Sequence, residues 1–263
     1  MVNGDDYGAS VIGRPRQGDQ LRARSRAGFP QQALDVFLHG ARRHEEGVRD
    51  VLVGLSLRHR LQHLRRGWAD ATVFPIPALT ASQVLDDALA VQPGETLLVH
   101  GAGGVTGKLI VQPVAVRGAQ VIATASPASA DRVRAVGPTE VLDYHDAQWP
   151  GRVRELTGGV GVAAAASAAR GGAVQAFGAV ATGGRLATIT SDSVDTDRDV
   201  SVHQVYVRSD GPRLTALAEL LSRGELTMDV GAGYPLGRAA EALDLATSCA
   251  HGQAVVVVYP SPL

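Results

Sequence analysis

Residues 96–107 read TLLVHGAGGVTG, a short apolar strand that runs straight into a glycine-rich turn, and the turn opens onto an apolar helix over Val105–Arg117. No other stretch limits the fold of the chain as tightly. Glycines turn the backbone sharply and leave no Cβ in the way of a close approach. The exposed amides of the helix start, with the helix dipole behind them, then face whatever lies in the turn, and an anion such as a pyrophosphate suits them best. The glycines fall as Gly101-x-x-Gly104-x-x-Gly107, with Gly103 between them. The G-x-G-x-x-G spacing is not met, because Thr106 stands where its last glycine would fall. A turn with a purely structural role is the competing reading.

The rest of the chain weighs against that alternative. Strand patterns at Gln120–Ala125, Glu140–Tyr144, Val162–Ser167, Arg185–Thr190 and Val200–Val207 alternate with helical ones. Those helical stretches are Ser129–Val136, Trp149–Leu156, Gly172–Val180 and Pro212–Arg223, and one more helix and strand (Gly237–Ala246, Gln253–Tyr259) close the chain. Upstream, Thr80–Ala90 is helical in pattern. Strands alternating with helices of about ten residues imply β-α-β crossovers. The expected fold class is therefore α/β, a doubly wound, Rossmann-like parallel sheet whose ligand lies beyond the C-terminal strand ends, at the switch point.

The end of the second strand bears on which dinucleotide would fit. An NAD site places an acid there for the ribose 2′-hydroxyl. Here the strand ends Ala125-Ser126-Pro127, with no acid before Asp131. A carboxylate would repel a 2′-phosphate, whereas Ser126 can donate to one, so the residues favour NADPH. The alternative is that Ser126 only begins a turn with Pro127.

PIPALTASQVLDDALAVQPGETLLVHGAGGVTGKLIVQ, followed by GAQVIATAS and EVLDYHD, resembles the medium-chain dehydrogenase/reductases. Within them it is most similar to the zinc-independent quinone oxidoreductase and enoyl reductase branch, over roughly Phe74–Tyr259. The resemblance assigns the pyrophosphate cradle to Gly101, Ala102, Gly104, Val105, Thr106 and Gly107. It places Thr80 near the nicotinamide, where a helix N-cap is a compatible role. It brings Tyr144 to the 2′-phosphate, although Tyr144 could equally cover the sheet edge. The implied reaction moves hydride from C4 of NADPH to an electron-poor quinone or conjugated enone, without a metal and with no catalytic acid or base identified. The chain departs from the family in two places. The turn after the second strand lacks the lysine many relatives carry, leaving Arg132 or Arg134 as substitutes, and the fourth strand reads Ala163–Ser167 where an aspartate is often found.

A larger departure lies upstream. Residues 1–73 hold twelve arginines and eight acidic residues, so this segment is +4 and the remainder −5. Helical patterns at 31–43 and 48–64 are the most its periodicity supports, and loop or partial disorder fits the rest. The family begins with a β-rich, GroES-like substrate domain, which this texture does not match. The expected division is an atypical 1–73 segment and a dinucleotide-binding domain over 74–263. A remnant that binds nucleotide or only dimerises, through a strand such as Val200–Val207, is the alternative to an enzyme.

The remaining chemistry is thin. A net charge of −1 gives no global field for nucleic acid or an anionic membrane, and no apolar run reaches the ~18 residues of a membrane span. The first ten residues do not read as a signal peptide, so a cytoplasmic location is expected. His59 and His63, four apart, find no third metal ligand, and Cys249 reads as a small apolar residue. The only lysine is Lys108, which excludes a Tyr-x-x-x-Lys pair of the short-chain dehydrogenases. The expected partner is a small-molecule acceptor, with a homodimer possible.

Overall fold

A parallel strand covered on both faces needs apolar side chains at every position rather than at alternate ones, and β1 (Thr96–His100) meets this condition, buried at all but its first residue. The computed structural model describes residues 72–195, 198–248 and 252–258. The arginine-rich segment up to residue 71, with its two helical patterns and His59 and His63, lies outside the described residues, as do Cys249 and Tyr259.

After β1 come α2 (Val105–Val116), β2 (Gln120–Ala125), α3 (Pro127–Arg134), β3 (Glu140–Asp143), α4 (Trp149–Leu156) and β4 (Val162–Ser167). Then come α5 (Ala173–Ala179), β5 (Val180–Thr188), β6 (Ser201–Gln204) and α6 (Gly211–Ser222); α1 (Pro75–Gln83) precedes β1. The six strands form one parallel sheet in the order β3-β2-β1-β4-β5-β6, the doubly wound architecture read from the sequence. Successive side chains of a strand point to opposite faces, which divides the core in two. Leu97 and Val99 of β1 pack with Val121, Ala123, Ala164 and Ala166 against α1, α2 and α6. Leu98 joins Ile122, Ala165 and Leu186 against Trp149 and Val153 of α4 and Phe177 of α5.

Three elements differ from the sequence reading. The first helix begins at Pro75, five residues earlier than expected, because proline at its first position fits φ without costing an amide. It then loosens into one π-helical turn over Val84–Ala88. Strand β5 starts at Val180, immediately after α5, and reaches only Thr188. The closing strand does not extend the main sheet. β8 (Ala254–Val258) pairs in parallel with β7 (Val230–Pro235) as a separate two-stranded sheet, joined through a 3₁₀ turn and α7 (Ala239–Thr247). Among the described residues, no helix is long and apolar enough to cross a membrane.

Candidate functional site

The strand order reverses between β1 and β4, and the glycine turn sits at that point. Ala168 N donates to His100 O at 2.8 Å, which binds the end of β4 to the end of β1. Gly101 has φ +86°, and a Cβ there would fall 2.8 Å from Ala169 N, so no other residue fits. A Cβ on Gly107 would collide with Gly101 O, so this glycine lets α2 lie directly on the turn. Gly103 faces a softer obstacle, the Ser129 hydroxyl, 2.5 Å from where its Cβ would be. Gly104 has ordinary space, its nearest neighbour being Gly101 O at 3.5 Å. The sequence spacing gives Gly101, Gly104 and Gly107 equal weight; sterically, Gly101 and Gly107 are the demanding pair.

Hydrogen bonds to β2 hold the turn open. Ala102 N donates to Thr124 O (2.9 Å) and Gly101 N to Thr124 Oγ1 (3.1 Å), while Gly104 N turns back to Gly101 O (3.2 Å). The amides of Val105 and Thr106, in the first turn of α2, donate to no group among the described residues. Unused amides at a helix start, beside a glycine turn, fit a pyrophosphate. Beneath the turn, His100 is buried, with Nδ1 2.7 Å from Thr124 Oγ1 and its ring stacked 4.7 Å from Trp149. Burial pushes its pKa down to about 4, so the ring is neutral at pH 7.

Ser126 is the residue before α3, extended at φ −74° and ψ 159°, with Pro127 opening the helix. Its hydroxyl lies 3.0 Å from that of Ser129, the side chain that sits over Gly103. Both readings of Ser126 therefore hold locally: it starts the turn, and it belongs to a pair of hydroxyls beside the glycines. Tyr144 is tied to the end of β2 by its amide (Tyr144 N to Ala125 O, 3.4 Å), and its half-exposed ring tilts against His145 at 4.2 Å. Asp143, in register with Ala125, is an acid near this strand end that proximity in sequence does not reveal. Its carboxylate accepts from the amide and ring of His145, the amide first among the groups holding its pKa below the usual carboxylate range. Thr80 is not brought to the turn by any hydrogen bond. It lies inside α1 rather than at its N-cap, buried, and donates to Ile76 O at 2.8 Å.

Two further residues of the site are invisible in local sequence. Lys108 and Arg132 both reach Asp229 Oδ2, at 2.6 and 3.5 Å, across a small cleft lined by Gly104, Val105 and Gly252. Burial alone would raise the pKa of Asp229, but Lys108 and then Arg132 outweigh it, and the carboxyl stays below its ordinary range. Gly252, at φ +61°, abuts Gly103 so closely that a Cβ would collide with Gly103 O. Of the two arginines offered as a lysine substitute, Arg132 faces the turn; Arg134 pairs with Asp131 on the surface at 2.8 Å. Among the described residues, no three His, Cys, Asp or Glu side chains cluster as a metal site.

A parallel sheet in this order, with the glycine turn at its switch point, defines a Rossmann-type dinucleotide fold. The chain is similar to dehydrogenases over part of its length: residues 136–256 match the family model described as zinc-binding dehydrogenase. It is 34% identical over 98 residues to the trans-enoyl reductase ACTTS2 of Alternaria alternata, covering 35% of this chain and 29% of that protein. The structure of a NAD-dependent alcohol dehydrogenase superposes with a TM-score of 0.68 at 30% identity, over 74% of this chain and 60% of that one. A mycobacterial protein solved with NADPH superposes at 0.64 with 28% identity, over 72% and 63%. Enoyl reductases and quinone oxidoreductases recur among structures of this fold. The chain spans less than two thirds of the length of these first relatives.

Proposed function

We propose that the chain binds NADPH at the Gly101–Gly107 turn and acts as a zinc-independent reductase of quinones or conjugated enones. The observation that carries this reading is the turn itself. It stands at the switch point with sterically required glycines at 101 and 107 and with the Val105 and Thr106 amides open. The two serine hydroxyls at the end of β2, together with Arg132 facing the same turn, favour the 2′-phosphate over a bare ribose. When bound, the cofactor would supply hydride from its nicotinamide C4. The described residues would bind and orient it; none of them is assigned as an acid or base, and the proton would come from solvent.

The acceptor class accords with the enoyl reductases and quinone oxidoreductases among the relatives, and a cytoplasmic location belongs to the same proposal. A homodimer through β6 is a further part of it, because no strand pairs with the outer edge of β6 among the described residues. The test is consumption of NADPH, monitored by its absorbance, with a panel of quinones and enones. Turnover with any of them supports the reductase. Tight binding without turnover leaves a nucleotide-binding protein that is not an enzyme.

A further inference from the structure

The cleft beside the glycine turn contains both the groups that would attract a phosphate and one that opposes it. Ser129 and Arg132 are three apart along α3 and share one face of that helix, and Ser126, just before it, places its hydroxyl 3.0 Å from that of Ser129. Ser129 meets Gly103, and Arg132 lines the cleft with Gly104 and Val105. Lys108 reaches the cleft from one turn along α2, its side chain only 10% exposed. Two cations and the open end of α2 thus converge on a space where Asp229 is the only carboxylate among the described lining residues. That carboxylate sits 2.6 Å from Lys108 and 3.5 Å from Arg132.

Asp229 is held in place from behind. Its carbonyl accepts from Ala254 N at 3.2 Å, two residues beyond the Gly252 that lies on Gly103. Two residues before it, Thr227 is gripped by Gln112 of α2. Gln112 Nε2 donates to Thr227 O (2.9 Å), and Gln112 Oε1 accepts from the Thr227 amide (2.7 Å) and hydroxyl (3.0 Å). The backbone around Asp229 is therefore tied to β8 through Ala254 and to α2 through Gln112.

We propose that Asp229 is a specificity-determining residue, a built-in competitor that occupies Lys108 and Arg132 and sets how tightly the cofactor's phosphates bind. This rests on the reading of the turn as a dinucleotide site. A phosphate entering the cleft gains the cations only by sharing them with Asp229 and accepting its repulsion. Because Arg132 extends from the helix after β2, the competition falls on the 2′-phosphate of NADPH, and NADH escapes it.

Calorimetric titration of the full chain and of Asp229→Asn with NADPH, and separately with NADH, tests this. The substitution keeps the side-chain shape and removes the charge. NADPH should bind about five- to tenfold more tightly to Asp229→Asn, with NADH changed less than about twofold. A gain of equal size for both nucleotides would overturn the assignment to the 2′-phosphate, which NADH lacks. Unchanged or weaker binding of both would overturn it, leaving Asp229 as a structural tie. Arg132→Gln is a second probe, since Lys108 still holds Asp229 in that variant. It should lose affinity for NADPH and keep it for NADH, and equal losses for both would overturn the proposal. If neither the original chain nor Asp229→Asn binds either nucleotide, the dinucleotide reading itself falls. If both bind and do not differ, only the competitor falls.

Discussion

Strand β1 of the large sheet and strand β7 of the small one are built from opposite kinds of sequence. β1, TLLVH, is apolar throughout most of its length and closed off by helices on both faces; β7, VGAGYP, alternates exposed and half-buried residues and ends in proline. The large sheet is sustained by burial of Leu97, Leu98, Ile110, Ile122 and their neighbours. A two-stranded sheet alone is marginal in water. The small one buries Ala254 and Val256 of β8 and Ala242 of α7, and to this it adds polar ties to α2, Lys108 to Asp229 and Gln112 to Thr227, and the bare contact of Gly252 with Gly103. Burial is non-directional and tolerant, whereas ties of this kind are specific and few. The glycine turn lies where the two regimes meet.

The sharpest way to break that contrast is at the turn. Gly107→Ala drives a methyl into Gly101 O, a backbone atom that cannot rotate aside. The expected loss of stability is about 3 kcal/mol or more, read from urea unfolding. Gly104→Ala, where the nearest atom is 3.5 Å away, should cost under about 1 kcal/mol. Similar losses for the two would show that the geometry of the turn is wrong.

The large sheet also carries a pH signature. His100 is neutral in the fold with a pKa of about 4, against an ordinary value of 6.5. An unfolded chain takes up a proton below 6.5 that the folded one refuses. Stability from this group is thus complete above pH 6.5, declines as pH falls towards 4, and levels off below. The total is about 3 kcal/mol. Replacing His100 with Gln should flatten that part of the stability-against-pH curve, and an unaltered slope would place the titration elsewhere.

Smaller effects separate the two sheets. Gln112→Ala removes three hydrogen bonds to Thr227 and should cost about 1–2 kcal/mol. By hydrogen exchange the loss should appear as faster opening of β7 and β8, with β1 unchanged; uniform acceleration would mean that the sheets open as one unit. Smallest of all is Arg134→Ala. Its exposed pair with Asp131 should change neither unfolding nor NADPH binding, in contrast with Arg132, which lines the cleft. A weakened NADPH titration for Arg134→Ala would erase that distinction between the two arginines.

The same contrast explains what the sequence made legible. β2, β4 and α4 stand where their patterns put them, because a doubly covered sheet writes itself as uninterrupted apolar runs punctuated by turns. The glycine turn was legible for the same local reason, as was Ser126 as the start of the turn with Pro127. β7 was not, since its two glycines and closing proline carry no strand signal and its pairing with β8 lies some twenty residues away. Asp229 and Gly252 are likewise joined to the turn only by tertiary packing. Thr80 shows the opposite failure: the sequence suggested a cap, and Pro75 moved the helix start upstream of it.

The most direct test of the account uses Val105→Pro. Proline at the first helical position is tolerated, so the fold should survive, while the ring removes one of the open amides and intrudes on the cradle. Titrated with NADPH, the unaltered chain should give saturable one-to-one binding, and Val105→Pro should bind at least about tenfold more weakly with its melting temperature within a few degrees. Undiminished binding by that variant, or no binding of either nucleotide by the unaltered chain, would contradict the claim that this turn is a dinucleotide site.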